Sequence, residues 1–396
     1  MYERVKVLHA ITRLDLGGSS ENTLLSAIGL ARRGYIVDVL FGDTQNANIH
    51  LLKEAEKCGV DFIEEADLIR DIHPIRDTFA FMNILHFIRD RKYDIVHAHS
   101  SKAGLICRVA ARLAGVKNVI YTPHGHVFYG YFDKRLTRAV VLAEALASHL
   151  SDRIVGLTPA ECDEWINFGI GKKEKYLAIA SGIEFSMIDE DLSSGMDLRA
   201  ELGIPSGGIL VGSVGRFVGV KGYDYLVKAA IDVMKKRDDV YFVLAGDGPD
   251  RAKYAEMLEK AGVAGRFHLI GWQERPAGVI NAMDIFVLSS LNEGMGRVLI
   301  EAMYMGKPVI ATKVGGVPSV VSADTGILVE PASAEAISVA VERLADDPAL
   351  AAEMGRKGRE RAISSYSSEK MVNDLDALYR ELLSRKGCGP RFVRGK

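Results

Sequence analysis

The chain has 396 residues, more than one ordinary hydrophobic core uses, so two domains are expected. With 48% hydrophobic and 26% charged residues it reads as globular, and a formal net charge of -2 excludes a nucleic-acid binder that works through overall charge. No run of about 18 apolar residues is present to span a membrane, the N-terminus lacks the apolar core and cleavage site of a signal peptide, and the four cysteines are scattered without a C-x-x-C, which points to a reduced cytosolic chain rather than a disulfide or zinc scaffold.

In chain order, short β-branched runs alternate with helical patterns. VKVLHAI, YIVDVLFG, VDFIEE, DIVHAHS, NVIYTPHG, RIVGLT and YLAIAS are predicted strands, with helical stretches such as ENTLLSAIGLARRG and KAGLICRVAARLAG between them. Continuous apolar strands separated by helices predict a parallel sheet covered on both faces. The pattern lapses over 183–207, a polar, turn-rich stretch read as a linker. It restarts with ILVGSVG, VYFVLAGDG, FHLIGW, IFVLSS, PVIAT and GILVE. The expectation is α/β: two doubly wound, Rossmann-like domains, 1–182 and 208–366, facing across a cleft. Ligands in such sheets bind at the carboxyl ends of the strands, so the loops there are where chemistry is sought.

Three loops stand out. After the first strand, Gly17 and Gly18 precede a helix with capping candidates Ser19 and Ser20, where small residues let a ligand approach backbone N–H groups. After the first strand of the second half, glycines at 215, 219 and 222 flank Arg216 and Lys221; two cations beside a helix start suit a diphosphate, and a solvated turn is the equal alternative. In LNEGMGRVLIEAMYMGKPVIAT, Glu293 lies in a loop and Glu301 inside a helix. Ionised carboxylates are pure acceptors, suited to hydroxyls such as those of a sugar and a ribose, although a lone pair so spaced is more often solvated surface.

The combination GRFVGVKG (215–222), AGDGP (245–249), EGMGRVLIEAMYMGKPVIAT (293–312), VGGVPSVV (314–321) and the glycines at 17 and 18 resembles the family-4 retaining glycosyltransferases of the GT-B fold, across both domains and in the right order. DIVHAHSSKAG and VIYTPHGHVFYGYF further resemble the bacterial branch that builds lipid-linked polysaccharides. The resemblance implies that Arg216 and Lys221 hold the diphosphate of a nucleotide-sugar, with UDP expected, and stabilise its departing charge. It implies that Glu293 binds hydroxyls of the donor sugar and Glu301 the ribose. Backbone at Trp272 and Gln273 would meet the base, and the amides of Gly17, Gly18, Gly294, Met295 and Gly296 the phosphates and sugar. His124 would sit near the reacting centre, with His99, His126, Tyr129 and Tyr131 on the acceptor side. Ser319 stands where the family's GG-x-P-E carries an acid, and Met295 and Arg297 replace the commoner Phe and Leu, which bears on sugar choice.

No cofactor or metal is expected beyond the co-substrate. Asp374 with Asp376, and Asp189 with Asp191, are read as solvated surface rather than D-x-D metal sites. His97, His99, His124 and His126 end two strands, and because alternate strand residues share a face, a metal box is the rival reading. FAFMNILHFIRDRK has an apolar stripe (Phe81, Ile84, Leu85, Ile88) and a basic end; VFYGYFDKRLTR and the tail at 387–396 are also basic. Together they suggest a cytoplasmic protein lying on the anionic inner membrane and taking a lipid-linked acceptor. The helix at 367–386 is expected to cross back onto the first domain. Rival activities are a UDP-sugar epimerase of the same fold and a catalytically silent sugar-nucleotide-binding partner; nothing in the sequence fixes an oligomeric state.

Overall fold

A computed structural model describes residues 4–125, 134–193, 195, 197–273 and 276–385. The chain divides into two units, Met1–Gly182 with Ser368–Lys396, and Ile183–Ser367.

The first unit runs β1 (Lys6–Ile11), α1 (Gly18–Arg32), β2 (Ile36–Phe41), α2 (Ile49–Lys57), β3 (Asp61–Glu64), α3 (Pro74–Arg91), β4 (Ile95–His99), α4 (Ser101–Leu113), β5 (Asn118–Thr122), α5 (Lys134–Ser148), β6 (Arg153–Gly156), α6 (Pro159–Asn167) and β7 (Tyr176–Ala178). The second runs α7 (Phe185–Leu192), α8 (Leu198–Glu201), β8 (Ile209–Val214), α9 (Tyr223–Lys236), β9 (Val240–Ala245), α10 (Arg251–Ala261), β10 (Phe267–Gly271), α11 (Ala277–Ala282), β11 (Ile285–Leu288), α12 (Arg297–Tyr304), β12 (Val309–Thr312), α13 (Val317–Val320), β13 (Gly326–Val329), α14 (Ala334–Asp346) and α15 (Pro348–Tyr366). α16 (Ser368–Arg385) returns to the first unit.

Both sheets are wholly parallel. Their strand orders are β3-β2-β1-β4-β5-β6-β7 and β10-β9-β8-β11-β12-β13. The order reverses between β1 and β4 in one sheet and between β8 and β11 in the other, which opens a crevice at the strand ends there. Central strands are buried along their length, as in IVHAH of β4 and IFVL of β11, because helices cover both faces. The edge strands β3 and β7 of the first sheet are the more exposed ones.

Helix starts follow local chemistry. Thr158 accepts from the Glu161 amide at 3.1 Å with Pro159 at the first helical position of α6, and Asp347 caps α15 ahead of Pro348. The expected linker at 183–207 instead carries α7 and α8 and groups with the second unit. Tertiary contacts hold α7: Phe185 stacks on Tyr304 with ring centroids 4.1 Å apart, and Tyr304 donates to Asp189 at 2.8 Å. Asp191 accepts from the Ala277 amide at 3.1 Å. Asp376 accepts from the Tyr35 hydroxyl at 2.6 Å. Asp189, Asp191 and Asp376 are therefore structural acceptors rather than free surface carboxylates.

α16 packs on α1. Asn22 points its amide at Met371 Sδ at 3.1 Å, Arg33 reaches Asp376 at 3.5 Å, and a Cβ at Gly29 would overlap Val372. Among the described residues, no helix is long and apolar enough to cross a membrane.

Candidate active site

In the second unit, the loops after β8 and β11 lie side by side because the strand order reverses between them. Backbone and side chain stitch them together. Leu291 N donates to Val220 O at 2.8 Å, and Ser289 Oγ to Lys221 O at 3.0 Å. Gly222, at φ 63°, starts α9, and a Cβ there would overlap the Ser289 carbonyl, so position 222 needs both glycine's conformation and its lack of bulk. This packing sets Lys221 Nζ 2.5 Å from Glu293 Oε1, which also accepts from Ser290 Oγ at 2.8 Å. The main chain of Glu293 is fixed from a third loop: Gly316 N donates to Glu293 O at 3.2 Å, and Gly315, at φ 47°, has no room for a side chain against that carbonyl.

Arg216 lies five residues before Lys221 and differs from it. Its side chain is exposed and has no hydrogen-bond or ion-pair partner among the described residues. Its backbone is anchored: Phe217 N donates to Asp247 O at 2.8 Å, and Phe217 is fully buried. The result is a cation held at a fixed base with a free head. Gly294 has open space around it, whereas Met295 is 2% exposed, main chain included. Glu301 lies half-buried on the second turn of α12. The β10 loop presents Trp272, 59% exposed, beside Gln273, whose amide donates to Ile270 O at 3.1 Å. Ser319 carries its carbonyl toward Arg361 and Tyr366, which donate to it at 2.8 and 3.1 Å.

In the first unit, α1 starts directly after the Gly17–Gly18 loop. The expected serine cap is not formed: Gly17 is the N-cap, and Ser20 turns back to donate to Asp15 O at 2.5 Å. With no side chain capping it, the helix leaves first-turn N–H groups for other acceptors. Asp15 holds the loop by accepting from the Gln45 and Asn46 amides at 2.8 and 3.0 Å.

The carboxyl ends of β4 and β5 are strained. Ser100 and His124 both adopt left-handed backbone, at φ 62° and 57°, rare for side-chain-bearing residues outside functional sites. Ser100 is held by Thr12 Oγ1 at 2.8 Å, and the amide next to His124, that of Gly125, donates to Glu161 Oε1 at 2.8 Å.

His97 and His99 are fully buried, and a third imidazole joins them, His9 of β1, in register with His97. The rings stack: His97 and His99 have centroids 4.2 Å apart, His9 and His99 5.1 Å, and His99 and His124 5.1 Å. Burial holds all three inner histidines neutral, His9 with its pKa lowered to about 3 and His97 and His99 well below 6.5. His99 bonds both ring nitrogens to other imidazoles, His9 at 2.8 Å and His124 at 2.9 Å. His99, expected on the acceptor side, thus lies buried between His9 and His124. His9, His97 and His99 bring ligand nitrogens within 4.8 Å of one another. Their nitrogens are engaged elsewhere: His9 and His99 bond to each other, and His97 bonds to the Tyr379 and Thr122 hydroxyls. His126, Tyr129, Tyr131 and the 387–396 tail lie outside the described residues.

Sequence reasoning missed His9, Thr12, Glu161 and Tyr379. Only His9 left a signal, as a titratable residue inside an otherwise apolar strand.

Residues 196–361 match the sequence profile "Glycosyl transferases group 1", and residues 16–185 match "Glycosyltransferase Family 4". A UDP-Gal:alpha-D-GlcNAc-diphosphoundecaprenol alpha-1,3-galactosyltransferase of Escherichia coli is 29% identical over 81% of this chain and 83% of its own length. The capsular polysaccharide biosynthesis glycosyltransferase CapM of Staphylococcus aureus is 25% identical over 86% and 91%. The crystal structure of Anabaena Alr3699/HepE in complex with UDP and glucose superposes with a TM-score of 0.79, at 19% identity, over 96% of this chain and all of that one. The two parallel sheets with their reversal points are thus those of a GT-B glycosyltransferase. The chain belongs to glycosyltransferase family 4.

Proposed function

We propose that this glycosyltransferase moves a sugar, with retention of configuration, from a UDP-sugar to a lipid-linked or saccharide acceptor in bacterial cell-surface polysaccharide synthesis. The observation that carries this reading is the Lys221–Glu293 pair at the β8/β11 reversal, with Arg216, exposed and unengaged, five residues before Lys221 in the same loop. A diphosphate there meets two cations. Glu293, Oε1 already held by Ser290 and Lys221, offers its acceptors to sugar hydroxyls. Glu301 takes the ribose, the Trp272–Gln273 backbone the base, and the amides of Gly294 to Gly296 the sugar and phosphate. The start of α1 at Gly17 and Gly18, which no side chain caps, presents N–H donors of the kind that suit a phosphate. The similarity to a galactosyltransferase named for UDP-Gal and a diphosphoundecaprenol acceptor, and to a fold captured with UDP, favours these substrates.

The reaction is front-face. The acceptor oxygen forms its bond to the anomeric carbon as the bond to the β-phosphate oxygen breaks. The acceptor proton passes to that leaving oxygen, and Arg216 and Lys221 stabilise the negative charge. His124, on its strained turn, is the first unit's candidate for a role in the transfer. Two cations at the diphosphate do the work that a metal does in D-x-D enzymes, so transfer proceeds without one.

The first unit also offers a surface for a membrane-borne acceptor. The stripe expected there does not serve: Ile84, Leu85 and Ile88 are core residues and Phe81 is half-buried. The exposed side chains are instead Ile75, Phe79 and Met82 of α3, with Ile72 just before it. Spaced four and three apart, the helical three share one face, and Arg70, Arg89 and Arg91 are exposed nearby in sequence. Apolar side chains with flanking arginines suit an anionic bilayer surface.

The test is thermal unfolding with UDP, GDP, ADP or NAD, each in excess EDTA. Ligand at about 100 times its Kd adds roughly 2.7 kcal/mol of apparent stability. A rise with UDP alone is expected; a rise with GDP or ADP instead changes the donor, and no rise with any nucleotide defeats the proposal.

A further inference from the structure

Tyr379 of α16 reaches the middle of the first unit's sheet. Its hydroxyl lies 2.7 Å from His97 Nδ1 and 3.4 Å from His9 Nε2. His97 Nε2 lies 2.8 Å from Thr122 Oγ1, His9 Nδ1 lies 2.8 Å from His99 Nε2, and His99 Nδ1 lies 2.9 Å from His124 Nε2. An unbroken line of hydrogen bonds therefore runs from the C-terminal helix to the His124 turn. Tyr379, His9, His97 and His99 are all at most 1% exposed, so bulk solvent does not reach the line. We propose that Tyr379, His9, His97 and His99 are positioning residues, a relay that fixes which ring nitrogen of His124 carries its proton.

The argument is proton counting. A neutral imidazole has one N–H and one bare nitrogen, and a bond between two of them needs one of each. The choice at one end therefore sets every ring. The hydroxyl of Tyr379, kept protonated by burial that pushes its pKa well above 10, has one proton to give. Its shorter contact is to His97 Nδ1, at 2.7 Å against 3.4 Å, so the proton goes there. His97 then carries its own on Nε2 and donates to Thr122. The Tyr379 oxygen accepts from His9 Nε2–H. His9 Nδ1 is bare and accepts from His99 Nε2–H. His99 Nδ1 is bare and accepts from His124 Nε2–H. These positions are assigned from the network, and they leave His124 Nδ1 as the bare, basic nitrogen. The opposite setting reverses every bond and gives Tyr379's proton to the longer contact. Burial supports the count, because a second proton on any inner ring is strongly disfavoured.

For its catalytic consequence the proposal rests on the role given to His124 in transfer; the proton placement itself does not. The experiment is ¹⁵N NMR of the full chain labelled at histidine, at pH 7.5, with His124→Ala to assign the signal. Wild type should show His124 protonated at Nε2 and bare at Nδ1. Tyr379→Phe, which removes the hydroxyl far from His124, should bring in the Nδ1–H form. A wild-type proton on Nδ1, or an unchanged single form in Tyr379→Phe, overturns the relay. If Tyr379→Phe does not fold by circular dichroism, Thr122→Val, which removes the acceptor of His97, must shift the same signal or the relay falls. One equivalent of zinc should leave the inner histidine signals in place; their joint loss on zinc uptake makes the cluster a metal site and overturns the relay. With transfer measured, Tyr379→Phe should lower kcat about twofold or more, as the productive form is diluted, at unchanged donor KM. Full activity in His124→Ala would sink the role given to His124 in transfer and leave the NMR result standing.

Discussion

Lys221 Nζ lies 2.5 Å from Glu293 Oε1 across 72 residues of sequence. Both side chains are mostly shielded from solvent, at 24% and 14% exposure. Each thus keeps a partner while no ligand is bound, and a diphosphate entering beside them competes for a lysine already in place. Arg216 has no such prior engagement, so its charge is wholly available to a ligand.

Arg216→Ala should therefore cut kcat by ~100-fold or more while leaving thermal stability unchanged, because it removes transition-state charge stabilisation and no structural contact. Steady-state transfer assays with a UDP-sugar panel check this. A loss below about fivefold would contradict the role.

Gly222 and Gly219 give a matched pair. A Cβ at 222 meets the Ser289 carbonyl at an unfavourable backbone angle, whereas a Cβ at 219 meets nothing within 4 Å. Gly222→Ala should cost the second unit about 2 kcal/mol or more and weaken UDP binding, with Gly219→Ala near neutral. Urea unfolding and calorimetric titration of both variants decide it; equal behaviour would mean the β8 and β11 loops are not locked together at Gly222.

The buried imidazoles predict acid sensitivity. Each titrates near 6.5 in the unfolded chain, but folding lowers their pKa values, that of His9 to about 3. Below pH 6.5 the unfolded chain therefore binds more protons, so stability is full above that pH and is lost as pH falls toward the folded values. Because each is held neutral in the fold where the unfolded chain is protonated, the three together give a slope approaching about 4 kcal/mol per pH unit as pH falls below 6. The fluorescence of Trp165, buried in the first unit, reports the transition. His97→Gln should flatten the slope by about a third; an identical slope would mean that His97 does not titrate on unfolding.

The stripe on α3 can be tested on vesicles. Phe79→Asp with Met82→Asp should lower binding to anionic liposomes at low salt roughly a hundredfold, from the loss of about 3 kcal/mol of apolar burial, without loss of fold. Undiminished binding by the double variant would clear α3 of the contact.

The strands were legible because a strand covered on both faces must be apolar throughout, and IFVLSS and NVIYTPHG say so directly. Glu293 and Lys221 were legible as loop residues after such strands; that they touch follows from the strand order, which no local pattern encodes. α7 was missed because Asp189, Glu190 and Asp191 look like linker, and what makes it a helix is Tyr304, over a hundred residues away. The wrong face of α3 was chosen because the helix is apolar on two sides, and periodicity alone does not tell which side meets the sheet. The histidine line was legible only at His97, His99 and His124; its other members, His9 and Tyr379, are 370 residues apart.

α16 belongs to the first unit, yet it is encoded after the whole of the second. During synthesis the first unit leaves the ribosome without Tyr379, Asp376 and Val372, while Tyr35, Arg33 and the Gly29 face of α1 wait for them. At ~5–20 residues per second, that interval lasts on the order of tens of seconds. The second unit is continuous and can close in the meantime. The part of the molecule born first is thus the last to be finished, and its α1 face stays uncovered until the chain is complete.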